Sequence, residues 1–140
     1  ISALTLSPKR HKPNLFFQLL PDDENVRGPH LVAFLQHLDR QLPGPITLLW
    51  DSSKTHRSQP VSEYLAKHPD IQVEPLPAYA PDLNPDEGVW SYTKYGRLAN
   101  YAPQNTSILR RRLTAELKRL KKKPALLNAF FRQTKLPLKL

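Results

Sequence analysis

The spacing of apolar residues changes along the chain from a period of two to a helical period, then alternates between them. Ile1-Ser-Ala-Leu-Thr-Leu6 alternates apolar with small or polar side chains, and Leu15-Phe-Phe-Gln-Leu-Leu20 is an apolar, partly aromatic run. Both predict strands, and the basic turn between them, Ser7 to Asn14 with Pro8 and Pro13, predicts an antiparallel pair. Leu31, Leu35, Leu38 and Leu42 then recur at helical intervals after Gly28-Pro29, and proline is accepted at the first helical position. Pro43-Gly-Pro45 ends that helix. Ile46-Thr-Leu-Leu-Trp50 has no polar face, the pattern of a strand covered on both sides. A short helix over Val61–His68, with Val61, Tyr64 and Leu65 on one face, leads to a strand at Ile71–Leu76. Strand, helix and strand in that order imply a parallel pair joined by a right-handed crossover. Pro75 cannot donate to a ladder, so that strand lies at an edge or ends there.

Pro75, Pro77, Pro81 and Pro85 then punctuate a loop with Tyr79 and Asn84. Proline fixes φ and lowers the entropy of the unfolded segment, so such a loop holds its shape with little secondary structure. A helix is expected from Asp86 or Glu87 through Trp90, Thr93, Lys94 and Arg97. Asn105-Thr106-Ser107 caps another, with Leu109, Leu113, Leu117 and Leu120 as its stripe, and Pro124 opens a last helix carrying Leu127, Phe130 and Phe131.

The 140 residues suffice for one domain of moderate core, and the sequence contains no repeat or low-complexity tract. It begins with Ile, shows no leader or membrane-spanning apolar stretch, and reads as a soluble piece of a longer protein. Cysteine is absent, which excludes disulfides, thiolate metal sites and cysteine nucleophiles. Net charge is +9, unevenly distributed: residues 1–87 hold 8 Lys/Arg against 11 Asp/Glu, residues 88–140 hold 13 against the single acid Glu116. A basic rear joined to a carboxylate-bearing front suits a protein that grips a polyanion while processing it; a solvated helix face is the plainer alternative.

Two carboxylates stand at element boundaries. Asp51 follows the apolar run in Ile46-Thr-Leu-Leu-Trp-Asp51-Ser-Ser-Lys-Thr-His56, and Glu87 follows the proline-rich loop in Leu76-Pro-Ala-Tyr-Ala-Pro-Asp-Leu-Asn-Pro-Asp-Glu87-Gly-Val-Trp90. Oxygen ligands so placed suit a divalent-metal site for phosphodiester chemistry. These two segments resemble DDE transposases of the mariner-like bacterial insertion-sequence group. The resemblance implies an α/β, ribonuclease-H-like fold with a mixed sheet flanked by helices. It divides the chain into an incomplete catalytic core at 1–100 and basic C-terminal helices at 101–140. It further implies DNA cleavage and strand transfer at insertion-sequence ends, with three acids binding two Mg²⁺ (or Mn²⁺) ions. The partners implied are double-stranded DNA at element ends and at a target, a TA step, and a second copy in a homodimer. The location implied is the nucleoid of a bacterial cytoplasm.

Carried over by motif, Asp51 is the second acid of the triad and Glu87 the third, 35 residues intervening. Asp86 would leave 34, but the family places its acid two residues after Asn-Pro. No residue matches the family's first acid or its strand, and the helix-turn-helix region has no counterpart. Strands 1–6 and 46–50 are thus expected to lack a shared neighbour, exposing unpaired backbone groups. Asp22, Asp23 and Glu24 read as solvated loop acids, not substitutes.

Lys54, Arg57, Lys94 and Arg97 lie near the acids in sequence, and Arg110, Arg111 and Arg112 on the basic helix, as candidate DNA contacts. His56 is either a contact to phosphate or metal-bound water, or a loop histidine bonding backbone. Asn84 fixes its turn through its side chain; Tyr79 and Trp90 read as packing aromatics. Besides the catalytic-domain reading stand two others: an inactive remnant that binds DNA or a full-length transposase, and a simple basic nucleic-acid-binding protein.

Overall fold

A computed structural model of the chain describes residues 1–21 and 24–136. Asp22 and Asp23, weighed above as loop acids, lie outside the described residues. The chain forms two compact units, one of Ile1 and Asp23–Ala80, the other of Ser2–Asp22 and Pro81–Leu140.

The first unit is the expected strand–helix–strand preceded by a helix. Helix α1 spans Gly28–Gln41, strand β3 Ile46–Trp50, helix α2 Gln59–Ala66 and strand β4 Ile71–Pro75; β1 and β2 belong to the second unit. The Arg27 amide donates to His30 Nδ1 at 3.1 Å and closes the first turn of α1, while His30 Nε2 lies 3.2 Å from Glu24. Leu31, Leu35 and Leu38 are buried as the stripe predicts, joined by Phe34. Gly44 takes φ +84° in the Pro-Gly-Pro stop, a conformation that suits glycine. Gly28 lets α1 approach α2: a Cβ there would lie 2.5 Å from Ser58 Oγ.

Strands β3 and β4 pair in parallel from Ile46 opposite Ile71 to Trp50 opposite Pro75, and Pro75 ends the strand. The Leu76 amide adds one bond to the Trp50 carbonyl at 2.8 Å. Coverage of β3 departs from expectation. Its residues alternate between half-buried and exposed, with Thr47 and Leu49 open, so one face of the strand is packed and the other faces solvent.

The second unit begins with an antiparallel hairpin, β1 at Ser2–Leu6 and β2 at Pro13–Phe17, with Ser2 opposite Phe17 and Leu6 opposite Pro13. The turn is closed by Ser7 N–H to Lys12 O at 3.1 Å and His11 N–H to Ser7 O at 2.8 Å, with His11 at φ 48°. Strand β2 ends three residues earlier than the apolar run suggests, and the Leu19 and Leu20 carbonyls accept hydrogen bonds from the Arg110 guanidinium instead. Among the described residues the hairpin and the β3–β4 pair are each a two-stranded sheet.

Helix α3 spans Pro85–Ser91, α4 Thr106–Lys121 and α5 Pro124–Gln133. The single helix expected to reach Arg97 instead widens into a π-helical turn at Tyr92–Arg97, where Leu98 N–H bonds the Thr93 carbonyl at 2.8 Å. The buried Thr93 hydroxyl occupies the Val89 carbonyl at 2.7 Å, the i−4 acceptor of a regular helix, and so competes with the ladder. Leu15, Val89, Leu117, Leu120, Leu127 and Phe130 form the core of this unit. Full burial of each such side chain is worth about 1.5–3 kcal/mol. Leu109 and Leu113 are only half-buried, so the α4 stripe buries mainly its C-terminal half.

Candidate metal and nucleic-acid site

Asp51 follows β3, where strand backbone gives way to a tight loop. Its carboxylate is 64% exposed, and Oδ1 accepts from the Ser53 amide at 2.9 Å and approaches His56 Nδ1 at 2.7 Å. The same Nδ1 lies 2.9 Å from the Asp51 carbonyl, and two oxygen acceptors around one ring nitrogen require that nitrogen to carry the hydrogen. The His56 ring stacks on Trp50, centroids 4.4 Å apart and planes within 8°. Partial desolvation opposes ionisation of Asp51, but the Ser53 amide and the His56 ring outweigh it and hold the carboxyl below its ordinary value. Asp51 is therefore an ionised, accessible oxygen donor at neutral pH, anchored from two sides. His56 makes the backbone contact of its plainer reading and also steadies the acid.

In the second unit, Asn84 caps α3: its side-chain oxygen accepts from the Asp86 amide at 3.1 Å, the turn-fixing role expected of it. The two acids that follow have opposite environments. Asp86 is half-buried; Oδ2 accepts from Ser2 Oγ at 2.5 Å, and Trp90 Nε1 donates to the same hydroxyl oxygen at 2.9 Å. Asp86 Oδ1 is fully shielded and has no hydrogen-bond partner among the described residues. Burial pushes the Asp86 carboxyl above its ordinary value, against the bonds from Ser2 and Trp90. Glu87, next to it in the first turn of α3, is exposed, and its side chain makes no hydrogen bond or ion pair among the described residues.

The candidate cations also divide. Lys54 and Arg57 in the first unit are exposed, as are Lys94, which lies 5.8 Å above the Trp90 ring, and Arg111 in the second. Arg97 and Arg112 contact the buried Glu116 at 3.0 and 3.3 Å, and Arg119 joins them at 3.2 Å. Arg112 also lies 6.0 Å from the centre of the Tyr101 ring. Arg110 holds the Leu19 and Leu20 carbonyls. Trp90 is anchored through its indole to Ser2, as a packing aromatic is. Tyr79 is not: it is fully exposed at φ 58°, because the proline-rich loop turns its side chain away from the core.

Sequence reasoning missed Ser2 and Asp86 as one hydrogen-bonded cluster and Glu116 as the hub of three arginines. The second was within reach, since Glu116 is four residues after Arg112, three before Arg119, and the one acid in a run of cations. Among the described residues, no three His, Asp or Glu side chains gather closely enough to hold a metal ion together. The hard carboxylate oxygens of Asp51 in the first unit and of Glu87 in the second each suit Mg²⁺ or Mn²⁺ in kind.

A family model described as DDE superfamily endonuclease matches residues 10–110. No curated protein matches the chain by sequence. Among solved structures, the catalytic domain of Mos1 mariner transposase is 17% identical with a TM-score of 0.62, over 94% of this chain and 78% of that one. The Mos1 catalytic domain with raltegravir and Mg is 16% identical with a TM-score of 0.62, over 99% and 83% of the two chains. A Mos1 paired-end complex with the left transposon end is 21% identical with a TM-score of 0.60, over 94% of this chain and 47% of that one. The shared feature is the α/β, ribonuclease-H-like architecture of small sheets flanked by helices. With the family model spanning most of the sequence and the solved structures repeating its fold, the chain belongs to the DDE superfamily endonucleases.

Proposed function

We propose that this chain is the C-terminal part of the catalytic domain of a DNA transposase of the mariner-like bacterial insertion-sequence group. It acts on element ends in duplex DNA, with a homodimer as the working form and the bacterial nucleoid as its place of action. Asp51 and Glu87 supply two of three carboxylates of its metal site, and residues outside this sequence supply the third. The observation that carries the reading is the contrast within Asp86-Glu87: the acid at the family's position is exposed and makes no hydrogen bond or ion pair among the described residues, while its neighbour is half-buried and bonded to Ser2.

Two Mg²⁺ or Mn²⁺ ions, when bound, would activate the attacking oxygen and stabilise the leaving oxygen of the phosphodiester. This chain's residues do the rest. Asp51 offers an ionised oxygen, and His56 and the Ser53 amide fix its rotamer, so little side-chain freedom is lost on binding a cation. Glu87 offers a second oxygen from a helix start stiffened by Pro85 and capped by Asn84. Lys54, Arg57, Lys94 and Arg111 are exposed and suited to hold phosphates, a TA target step included. Transfer is direct at phosphorus, so Ser52 and Ser53 need not act as nucleophiles.

The test is metal-dependent nicking of a duplex carrying the element's ends, by the chain extended with its upstream residues. Asp51→Asn and Glu87→Gln are expected to slow nicking by about 10³-fold, the loss of several kcal/mol of charge stabilisation, and Asp86→Asn to retain it. The reading is overturned if Glu87→Gln stays active while Asp86→Asn does not. Cleavage by the 140-residue chain alone that vanishes in Asp51→Ala would refute the need for a third acid. A second reading is an inactive DNA- or transposase-binding remnant. Extended protein that binds such duplexes without ever nicking them would establish that one.

A further inference from the structure

Two basic clusters more than 100 residues apart in sequence lie at the same end of the second unit. One is the hairpin turn, where Lys9, Arg10 and Lys12 are exposed around a loop braced by the two Ser7 backbone bonds. The other is the C-terminal end of α4, where Lys118, Lys122 and Lys123 are exposed. Two contacts fix how α4 runs along the hairpin: Arg110, near its start, holds the Leu19 and Leu20 carbonyls, and Lys121, near its end, lies 4.8 Å above the Phe16 ring. Moving up α4 therefore means moving back down β2, toward Pro13 and the turn. Lys12 is four residues before Phe16, about 13 Å along a strand, and Lys118 is one helical turn from Lys121.

Nothing within these segments offsets the charge. Residues 1–21 contain no acid, and the one acid of α4, Glu116, already holds Arg97, Arg112 and Arg119. None of the six side chains forms an ion pair or hydrogen bond among the described residues. Six cations at one end of a unit repel one another unless a polyanion or counterions neutralise them, and release of those counterions drives nucleic-acid binding.

We infer that Lys9, Arg10 and Lys12 of the turn, with Lys118, Lys122 and Lys123 of α4, form one surface that grips the phosphate backbone of duplex DNA without reading its sequence. The inference rests on the DNA-processing reading above and adds a binding surface apart from Asp51, Glu87 and the cations beside them.

The experiment is fluorescence anisotropy of the extended protein with a short labelled duplex of arbitrary sequence, over a range of salt. Its variants are K9Q/R10Q/K12Q, K118Q/K122Q/K123Q and, as a charge control, K67Q just after α2. Each triple variant is expected to flatten the slope of log K against log salt by about 0.9 for every phosphate it no longer neutralises, up to about 2.7, and K67Q by less than about 0.9. Lysine-modification footprinting is the second readout: stoichiometric duplex should protect Lys9, Lys12, Lys118, Lys122 and Lys123 together and leave Lys67 reactive. A turn variant with the wild-type slope, or protection of only one cluster, overturns the single surface. Nicking that is lost in Asp51→Asn while the turn variant binds like wild type sinks the surface and leaves the proposed function standing. No duplex binding by the wild type sinks both.

Discussion

Asp86 and Glu116 show how one side-chain type acquires opposite roles from its surroundings. Burial raises the Asp86 carboxyl from its ordinary 3.8, so the folded state holds that proton more tightly than the unfolded chain does. The stabilisation is complete below 3.8 and disappears as pH rises through the raised value. Hydrogen bonding to Arg97 lowers the Glu116 carboxyl from 4.5, against desolvation and with help from Arg112 and Arg119. Its contribution is present above 4.5 and is lost as pH falls through the lowered value. Asp86→Asn should therefore raise stability at neutral pH by about 1 kcal/mol, since a neutral amide replaces a charge with one unsatisfied oxygen. It should also steepen the rise in stability between acid and neutral pH; urea unfolding at several pH values checks both. Glu116→Gln should cost about 1–2 kcal/mol at neutral pH, limited because its arginines are partly solvated, and should flatten that same rise. The motif singled out Glu87 without touching the chemistry of its neighbour. That chemistry depends on Ser2, 84 residues away, which no local pattern indicates.

Among the elements, the helices with apolar stripes and proline or asparagine starts were legible at their beginnings: α1 begins at Gly28, the Asn105 side chain caps α4 by accepting from the Ile108 amide, and α5 opens at Pro124. Three features were not. The end of β2 depends on Arg110 reaching the Leu19 and Leu20 carbonyls, the exposure of Thr47 and Leu49 on what packs over β3, and the π-helical turn on the Thr93 hydroxyl bonding the Val89 carbonyl. Each is a tertiary or side-chain competition that periodicity does not encode. Packing of α3 on α5 likewise turns on one residue. A Cβ at Gly88 would meet Phe130 Cδ1 at 2.8 Å, Cγ at 3.0 Å and Cβ at 3.2 Å, the last close to rigid backbone. Gly88→Ala gains about 1 kcal/mol of helix propensity but incurs an overpacking cost of about 1–3 kcal/mol. The clash is expected to win, lowering stability by about 1 kcal/mol in chemical denaturation and loosening the helix that carries Glu87.

At the level of the whole molecule, charge is organised by use more than by position. Of the thirteen cations in residues 88–140, Arg97 ties the π-helical turn to α4, Arg110 ties α4 to the chain after β2, and Arg112 and Arg119 pair with Glu116 along α4 itself, whereas Arg111, Lys118, Lys122 and Lys123 face solvent. Within the Arg110-Arg-Arg112 run, Arg111 is exposed without an ion pair among the described residues, Arg112 is exposed and paired with Glu116, and Arg110 is half-buried on two carbonyls. The family was legible because Glu87 follows a proline- and asparagine-rich string and Asp51 ends an apolar strand, both readable locally; the placement of cations was not, because it depends on where Glu116 and two carbonyls fall. The central claim is that Asp51 and Glu87 serve one metal site. It is tested most directly by Mn²⁺ titration, followed by electron paramagnetic resonance, of the wild type, Asp51→Asn, Glu87→Gln and the double variant. The account predicts that each single substitution weakens the same Mn²⁺ site and that the second adds little to the first. Independent, fully additive losses, or a Glu87→Gln protein that binds Mn²⁺ as the wild type does, would contradict it.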